Sequence, residues 1–146
     1  MQLCIKTFDE LTAGELYEIL RVRSLVFVVE QNCVYQDPDG IDLRSIHVYL
    51  EDKGEILAYL RVFLREGHAA EAQIGRVLTV ARGKGLGRQV LDAGIRVAAE
   101  RLQGDRIYLE AQCYAAGFYE KVGFRSISDP FLEDGIPHVQ MIMDIK

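Results

Sequence analysis

Six consecutive residues, Arg82-Gly83-Lys84-Gly85-Leu86-Gly87, carry the most legible chemistry in the chain. They stand between an apolar run, Ile74 to Val80, and a stretch in which Leu86, Val90, Leu91, Gly94, Ile95, Val97, Ala98 and Leu102 recur at helical spacing. A strand, a glycine turn and a helix start make an anion site. The first N–H groups of a helix have no partner within it, and the helix dipole places about half a positive charge at that end. Glycines let the backbone approach a ligand with no Cβ between. Arg82, Lys84 and Arg88 add three cations. The turn reads as the seat of a pyrophosphate.

The elements that must hold this turn follow from pattern and punctuation. Leu3 to Phe8 alternates as a first strand, and Thr12 with Glu15 has the capping-box form. Leu16, Ile19, Leu20, Arg23 and Phe27 mark one helix running into the apolar stretch Leu25 to Val29; Asp37-Pro38-Asp39-Gly40 is a turn. Ile46 to Leu50 and Ile56 to Leu64 are strands joined by a hairpin turn at Asp52-Lys53-Gly54. Gln73 to Val80 is a strand with Gly75 inside it, and the helix after the glycine turn runs to about Leu102, closed by Gln103-Gly104-Asp105. Arg106 to Ala111 is a strand, Ala115 to Lys121 a short helix, and Phe124 to Ser128 and Val139 to Ile145 two last strands around a loop, Asp129 to His138. This order predicts one mixed α/β domain over residues 1–146, in which the strands flanking the glycine-turn helix lie parallel across a right-handed crossover.

Composition narrows the partners. At 146 residues and almost half apolar, the chain buries a core without staples. A net charge of −5 argues against nucleic acid as a ligand and mildly favours cationic small molecules. Cys4, Cys33 and Cys113 are odd in number and widely spaced, which fits a reducing compartment, and no His, Cys, Asp or Glu cluster has metal spacing. Lys6, Asp9 and Glu10 stand too early for a secretion signal, and no run of about 20 apolar residues offers a membrane span. A cytoplasmic protein is expected. The oligomeric state is not legible, and a homodimer is compatible with the sequence.

Two nucleotide ligands compete for the turn. A dinucleotide fingerprint needs glycines at its first, third and sixth positions; Gly83 and Gly85 supply two, but Arg88 occupies the third place. The other pattern is Arg-x-x-Gly-x-Gly, met by Arg82, Gly85 and Gly87, followed by Gln112-x-x-Ala115-x-x-Phe118-Tyr119-Glu120-Lys121-x-Gly123-Phe124. Together these resemble the GCN5-related N-acetyltransferases, whose ligand is acetyl-CoA. A narrower resemblance, to the ElaA-type branch, spreads over Phe27 to Cys33, Tyr35-Gln36-Asp37, Asp39-Gly40, Ile74 to Val77, Ala111-Gln112 and Glu133 to His138.

The resemblance implies a mixed sheet of six to seven strands, mostly antiparallel with a central parallel pair, flanked by helices. It implies that Leu78, Thr79 and Val80 lend backbone groups to the pantetheine arm, and that the N–H groups of Arg82, Gly83, Lys84, Gly85, Leu86, Gly87 and Arg88 take the pyrophosphate. Gly75 inside a strand signals a bulge or a close approach, and the resemblance makes it a bulge beside the acetyl group. Gln112 stands where many relatives carry Asn and offers an amide to the pantetheine, and Ala115 leaves room beside the cofactor. Phe118 and Phe124 read first as packing aromatics, Phe118 counting also among the cofactor contacts. Tyr119 is the candidate acid: a phenol protonated at neutral pH can serve a departing thiolate, the role the family gives its tyrosine.

The base is open among Glu30, Glu110, His138 and a water chain. Glu30 follows an apolar run, so partial burial is expected to raise its pKa. His47 and His68 read as structural, and Cys113 as a small packed side chain rather than a nucleophile. The leading function is direct acetyl transfer from acetyl-CoA to a primary amine: a small amine or polyamine, a peptide N-terminus or a lysine. The alternative is a non-catalytic acetyl-CoA sensor or partner module.

Overall fold

The computed structural model describes residues 1–146 throughout. Its strands are β1 (Gln2–Thr7), β2 (Ile46–Asp52), β3 (Glu55–Leu64), β4 (Glu71–Thr79), β5 (Arg106–Gln112), β6 (Arg125–Ser126), β7 (Phe131–Glu133) and β8 (Ile136–Asp144). Its helices are α1 (Ala13–Arg23), α2 (Leu86–Glu100) and α3 (Ala116–Val122). All eight strands join one sheet in the order β1-β2-β3-β4-β5-β8-β6, with β7 on β8. Only β4 and β5 run parallel, across α2, as the crossover argument requires.

Side chains alternate between faces. On β2 and β3, Val48, Leu50, Leu60 and Val62 pack under α2 with Ile74, Leu91 and Val97, and Tyr119 and Phe124 at α3 extend the same core. Tyr49 and Tyr59 turn to the opposite face and pack with Ile19 and Val22 of α1. Thr12 caps α1 as its sequence foretells: its hydroxyl accepts from the Glu15 N–H at 3.1 Å, and Glu15 accepts from the Thr12 N–H at 2.8 Å.

Three expectations are corrected. The first helix does not continue regularly into Leu25–Val29; after Arg23 the chain widens to π-helical turns over Ser24–Glu30, a form that recurs at functional sites. The expected loop Asp129 to His138 is a hairpin. Asp134 and Gly135 take φ of 51° and 78°, the left-handed pair of a two-residue turn, so Glu133 faces Ile136 across it. That hairpin raises the strand count to eight and puts His138 inside β8. The strand expected over Phe124 to Ser128 shrinks to Arg125–Ser126.

Two features open the sheet. β4 pairs with β5 only through Glu71, Ala72 and Gln73 and then leaves it. Within β4 an extra residue enters the ladder against β3: Tyr59 faces Leu78 but Arg61 faces Gly75. Arg76 sits in this bulge at φ 53°. The bulge expected at Gly75 is present, and bulges turn a strand aside.

α2 lies close on the sheet because Gly94 has no side chain; a Cβ there would come 2.9 Å from Leu60 Cδ1. Gly94→Leu should therefore cost about 1–3 kcal/mol through overpacking. Gly14→Ala, with nothing within 4 Å of the added carbon, should be neutral or stabilising by up to about 1 kcal/mol. Urea unfolding of the two variants checks the contrast.

Candidate active site

Where β4 leaves β5, a cleft of about 1190 Å³ opens and runs through the sheet. Its lining comes from both faces: Gly85, Leu86, Phe118 and Tyr119 from the α2 and α3 side, Glu110, Glu133 and His138 from the other.

The glycine turn forms one end. Gly83 and Gly85 take φ of 79° and 71°, values that L side chains adopt at a cost. The first bond of α2 runs from the Gln89 N–H to the Gly85 carbonyl at 3.2 Å, and the N–H groups of residues 82 to 88 have no backbone partner. Gly87 lets this end pack on its neighbours, since a Cβ there would lie 3.4 Å from Thr79 Cγ2 and 3.5 Å from Phe118 Cζ. Arg82 and Arg88 line the cleft, Arg88 also pairing with Asp92 at 3.0 Å. Lys84 is exposed and does not line it.

Leu78, Thr79 and Val80 border the cleft along the edge of β4 that β5 has vacated; their other edge is taken by β3, Val80 N–H donating to Leu57 at 3.0 Å. Gln112 and Ala115 stand opposite. The Gln112 amide donates to Gln31 Oε1 at 3.0 Å, which ties the end of β5 to the segment after α1 and leaves its own oxygen available. Phe118 meets Tyr119 edge-on, ring centres 5.1 Å apart, and Phe124 packs on the far side of Tyr119 at 5.9 Å. Tyr119 is 7% exposed. Its hydroxyl has no partner in the protein, yet the one sealed and unpaired side-chain polar atom is Arg61 Nε; the hydroxyl therefore opens into the cleft. Burial pushes its pKa up, with a smaller contribution from Tyr114, so the phenol stays protonated throughout the neutral range.

The opposite wall is acidic. Tyr108 donates to Glu110 Oε2 at 2.8 Å and accepts from Gln140 Nε2 at 2.9 Å. Burial, then Glu110, pushes the Tyr108 hydroxyl up to about 12. His138 Nδ1 lies 2.7 Å from the Ile136 carbonyl and its Nε2 lies 3.5 Å from Glu133 Oε2. Burial and then the nearby Glu110 raise the pKa of Glu133. Glu30 lines the rim and is exposed, so the expected partial burial is not found. Cys113 lies outside the cleft lining.

Around this wall runs an ion network that single-sequence reading took for a turn. Arg23, wholly buried, donates to Asp37 at 2.9 Å and to Asp42 at 2.7 Å; Arg61 donates to Asp42 at 2.9 Å and to Asp39 at 2.6 Å. Arg76, on the bulge, donates to Asp37 Oδ1 at 2.9 Å. His47, read as structural, bridges the Tyr59 hydroxyl at 2.7 Å and the Asp42 carbonyl at 3.0 Å. Glu133, Tyr108 and this network were missed from sequence. Only the Asp134-Gly135 pair, a strong hairpin signal, pointed to the meeting of Glu133 with His138.

Residues 25–145 match the family model described as an acetyltransferase (GNAT) domain. The chain belongs to the GNAT acetyltransferase family. Protein ElaA of Escherichia coli is 35% identical over 141 residues, spanning 94% of this chain and 92% of ElaA. The crystal structure of that protein superposes with a TM-score of 0.91 over 98% of this chain and 99% of its own. An acyl-CoA N-acyltransferase from Pseudomonas aeruginosa is 39% identical, with a TM-score of 0.89 over 98% and 99%. An aminoglycoside 6'-N-acetyltransferase complexed with coenzyme A shares the fold at 15% identity, with a TM-score of 0.75 over 98% and 97%. The protein is thus a GNAT N-acetyltransferase of the ElaA type, and the dinucleotide reading of its glycine turn is set aside.

Asp42→Ala would leave two buried guanidiniums short of a counter-charge, and should cost about 3–5 kcal/mol. Burial opposes ionisation of Asp39 and Asp42, but their bonds to arginine outweigh it, holding Asp42 below the usual range and Asp39 at about 2. Their folded values lie below the unfolded one of about 3.9. The stabilisation is therefore complete above about pH 5 and fades as pH falls towards 2. Urea midpoints at pH 6, 4 and 3 should drop in that order for the wild type and less steeply for Asp42→Ala.

Proposed function

We propose that the protein moves an acetyl group from acetyl-CoA directly to a primary amine. The observation that carries this reading is one cleft joining the glycine turn to the unpaired Tyr119 hydroxyl and, beyond it, to an acidic wall. The turn fits the cofactor: its N–H groups are unpaired, its glycines are in left-handed conformations, and Arg82 and Arg88 flank it.

When bound, acetyl-CoA supplies an activated thioester. The N–H groups of residues 82 to 88 hold the diphosphate, as helix starts hold phosphate elsewhere. Leu78, Thr79 and Val80 present the free edge of β4 to the pantetheine, Gln112 offers its amide oxygen, and Ala115 and Phe118 flank the arm. Tyr119, held between two phenyl rings, donates its hydroxyl proton to the departing sulfur. The ammonium of the acceptor gives up its proton to the acidic wall, for which Glu30 at the rim and Glu110 and His138 deeper in are the candidate acceptors. Cys113 outside the cleft favours direct transfer over an acyl-cysteine route. The three free thiols support a cytoplasmic setting, and no helix is long and apolar enough to cross a membrane.

Isothermal calorimetry should record association with acetyl-CoA, and thiol release should follow on adding a reactive amine. Tyr119→Phe should lower kcat by about 10²-fold or more while leaving acetyl-CoA affinity largely unchanged; an unaltered rate removes Tyr119 from the mechanism. Binding without thiol release across a broad amine panel would instead favour a sensor of acetyl-CoA.

A further inference from the structure

The acceptor side of the cleft is sorted by charge. Glu110 on β5 and Glu133 on β7 come together there, with Glu30 and Asp134 farther round the same lining. The partners of the pair orient it. A carbonyl only accepts, so His138 Nδ1 must carry a proton toward Ile136, and the imidazole turns Nε2 to Glu133. Tyr108 spends its only proton on Glu110.

Each arginine on this side already has carboxylate counter-charges. The guanidiniums of Arg61 and Arg76 line the cleft but are bound to Asp37, Asp39 and Asp42. Arg61 Nε is unpaired but sealed from the cleft, and Arg76, whose Nη1 has no partner, has its charge answered by Asp37 and Asp39. The remaining cations of the lining, Arg82 and Arg88, belong to the glycine turn at the other end. Tyr119, 7% exposed, turns its unpartnered hydroxyl into the same space, which marks where the reacting nitrogen must arrive. A carboxylate carried in beside that nitrogen would meet acidic groups and only arginines whose charge is already answered by aspartates, whereas an ammonium finds two carboxyl groups as acceptors.

We propose that the acceptor is a cationic alkylamine with no carboxylate beside its reacting nitrogen, its ammonium seated on Glu133 and Glu110. Aminoalkyl groups such as those of polyamines and lysine side chains meet this requirement; the α-amino group of a free amino acid does not. The inference rests on the acetyl-transfer reading above and adds to it the class of acceptor.

Matched pairs differing only by the carboxylate test it: agmatine against arginine, and tyramine against tyrosine. Binding to the protein–CoA complex is followed by calorimetry, and thiol release from acetyl-CoA gives kcat/KM. The decarboxylated member of each pair should be preferred by about a hundredfold, the size that like-charge juxtaposition commands. Glu133→Gln and Glu110→Gln should each shrink that preference at least several-fold without changing acetyl-CoA affinity. Equal use of both members, preference for the amino acid, or a CoA-bound protein that takes up neither amine overturns the proposal and leaves acetyl-CoA binding standing. Failure to bind acetyl-CoA at all overturns the underlying reading, and this one with it.

Discussion

β4 separates from β5 after Gln73, and every functional feature of the molecule depends on that separation. Two parallel strands that stayed paired would close the sheet and leave the glycine turn on one face with the acidic residues sealed from it on the other. The bulge at Gly75 and Arg76 turns β4 away, and a bulge carrying a non-glycine residue at positive φ needs external support. Arg76 receives it from Asp37, and Asp37 is held in turn by Arg23. The ion network is thus more than a staple for α1. It fixes the angle at which the sheet opens, and three guanidiniums against three carboxylates let it do so without leaving net charge in the interior.

The opening joins two electrostatically opposite environments. One end is a helix start with unpaired N–H groups and two arginines; the other carries paired carboxylates and a histidine. Tyr119 stands at their junction, buried enough to stay protonated yet free of any partner that would occupy its hydroxyl. On the function proposed above, an anionic donor and a cationic acceptor would be drawn in from different sides and meet at a group able to protonate the leaving sulfur. The same arrangement assigns the cleft's two halves without any residue having to serve both.

Much of this was legible beforehand, for local reasons. The glycine turn stands out because left-handed conformations demand glycine and helix starts demand anions, both facts of a few consecutive residues. The capping box at Thr12, the turn at Asp52-Lys53-Gly54 and the bulge at Gly75 are local in the same way. The hairpin around Asp134-Gly135 was equally local and was passed over, because the residues on either side, Phe131 to Glu133 and Ile136 to His138, are too short and too mixed to alternate visibly. With it went Glu133, and with Glu133 the reason His138 belongs to the wall.

By itself the sequence determined the parallel crossover around α2 and, through resemblance, the family; short-range spacing also marked the glycine turn as the candidate phosphate seat and Tyr119 as the candidate acid. Only the tertiary structure decided how far Glu30 is buried, which carboxylates meet, and which cations are free. Arg23 and Asp42 are 19 residues apart, and Glu133 comes to the cleft beside Glu110 on β7, which folds back along β8. Burial and ion pairing are properties of distances between chain segments, set by sheet register and strand divergence, and no periodicity within one segment records them.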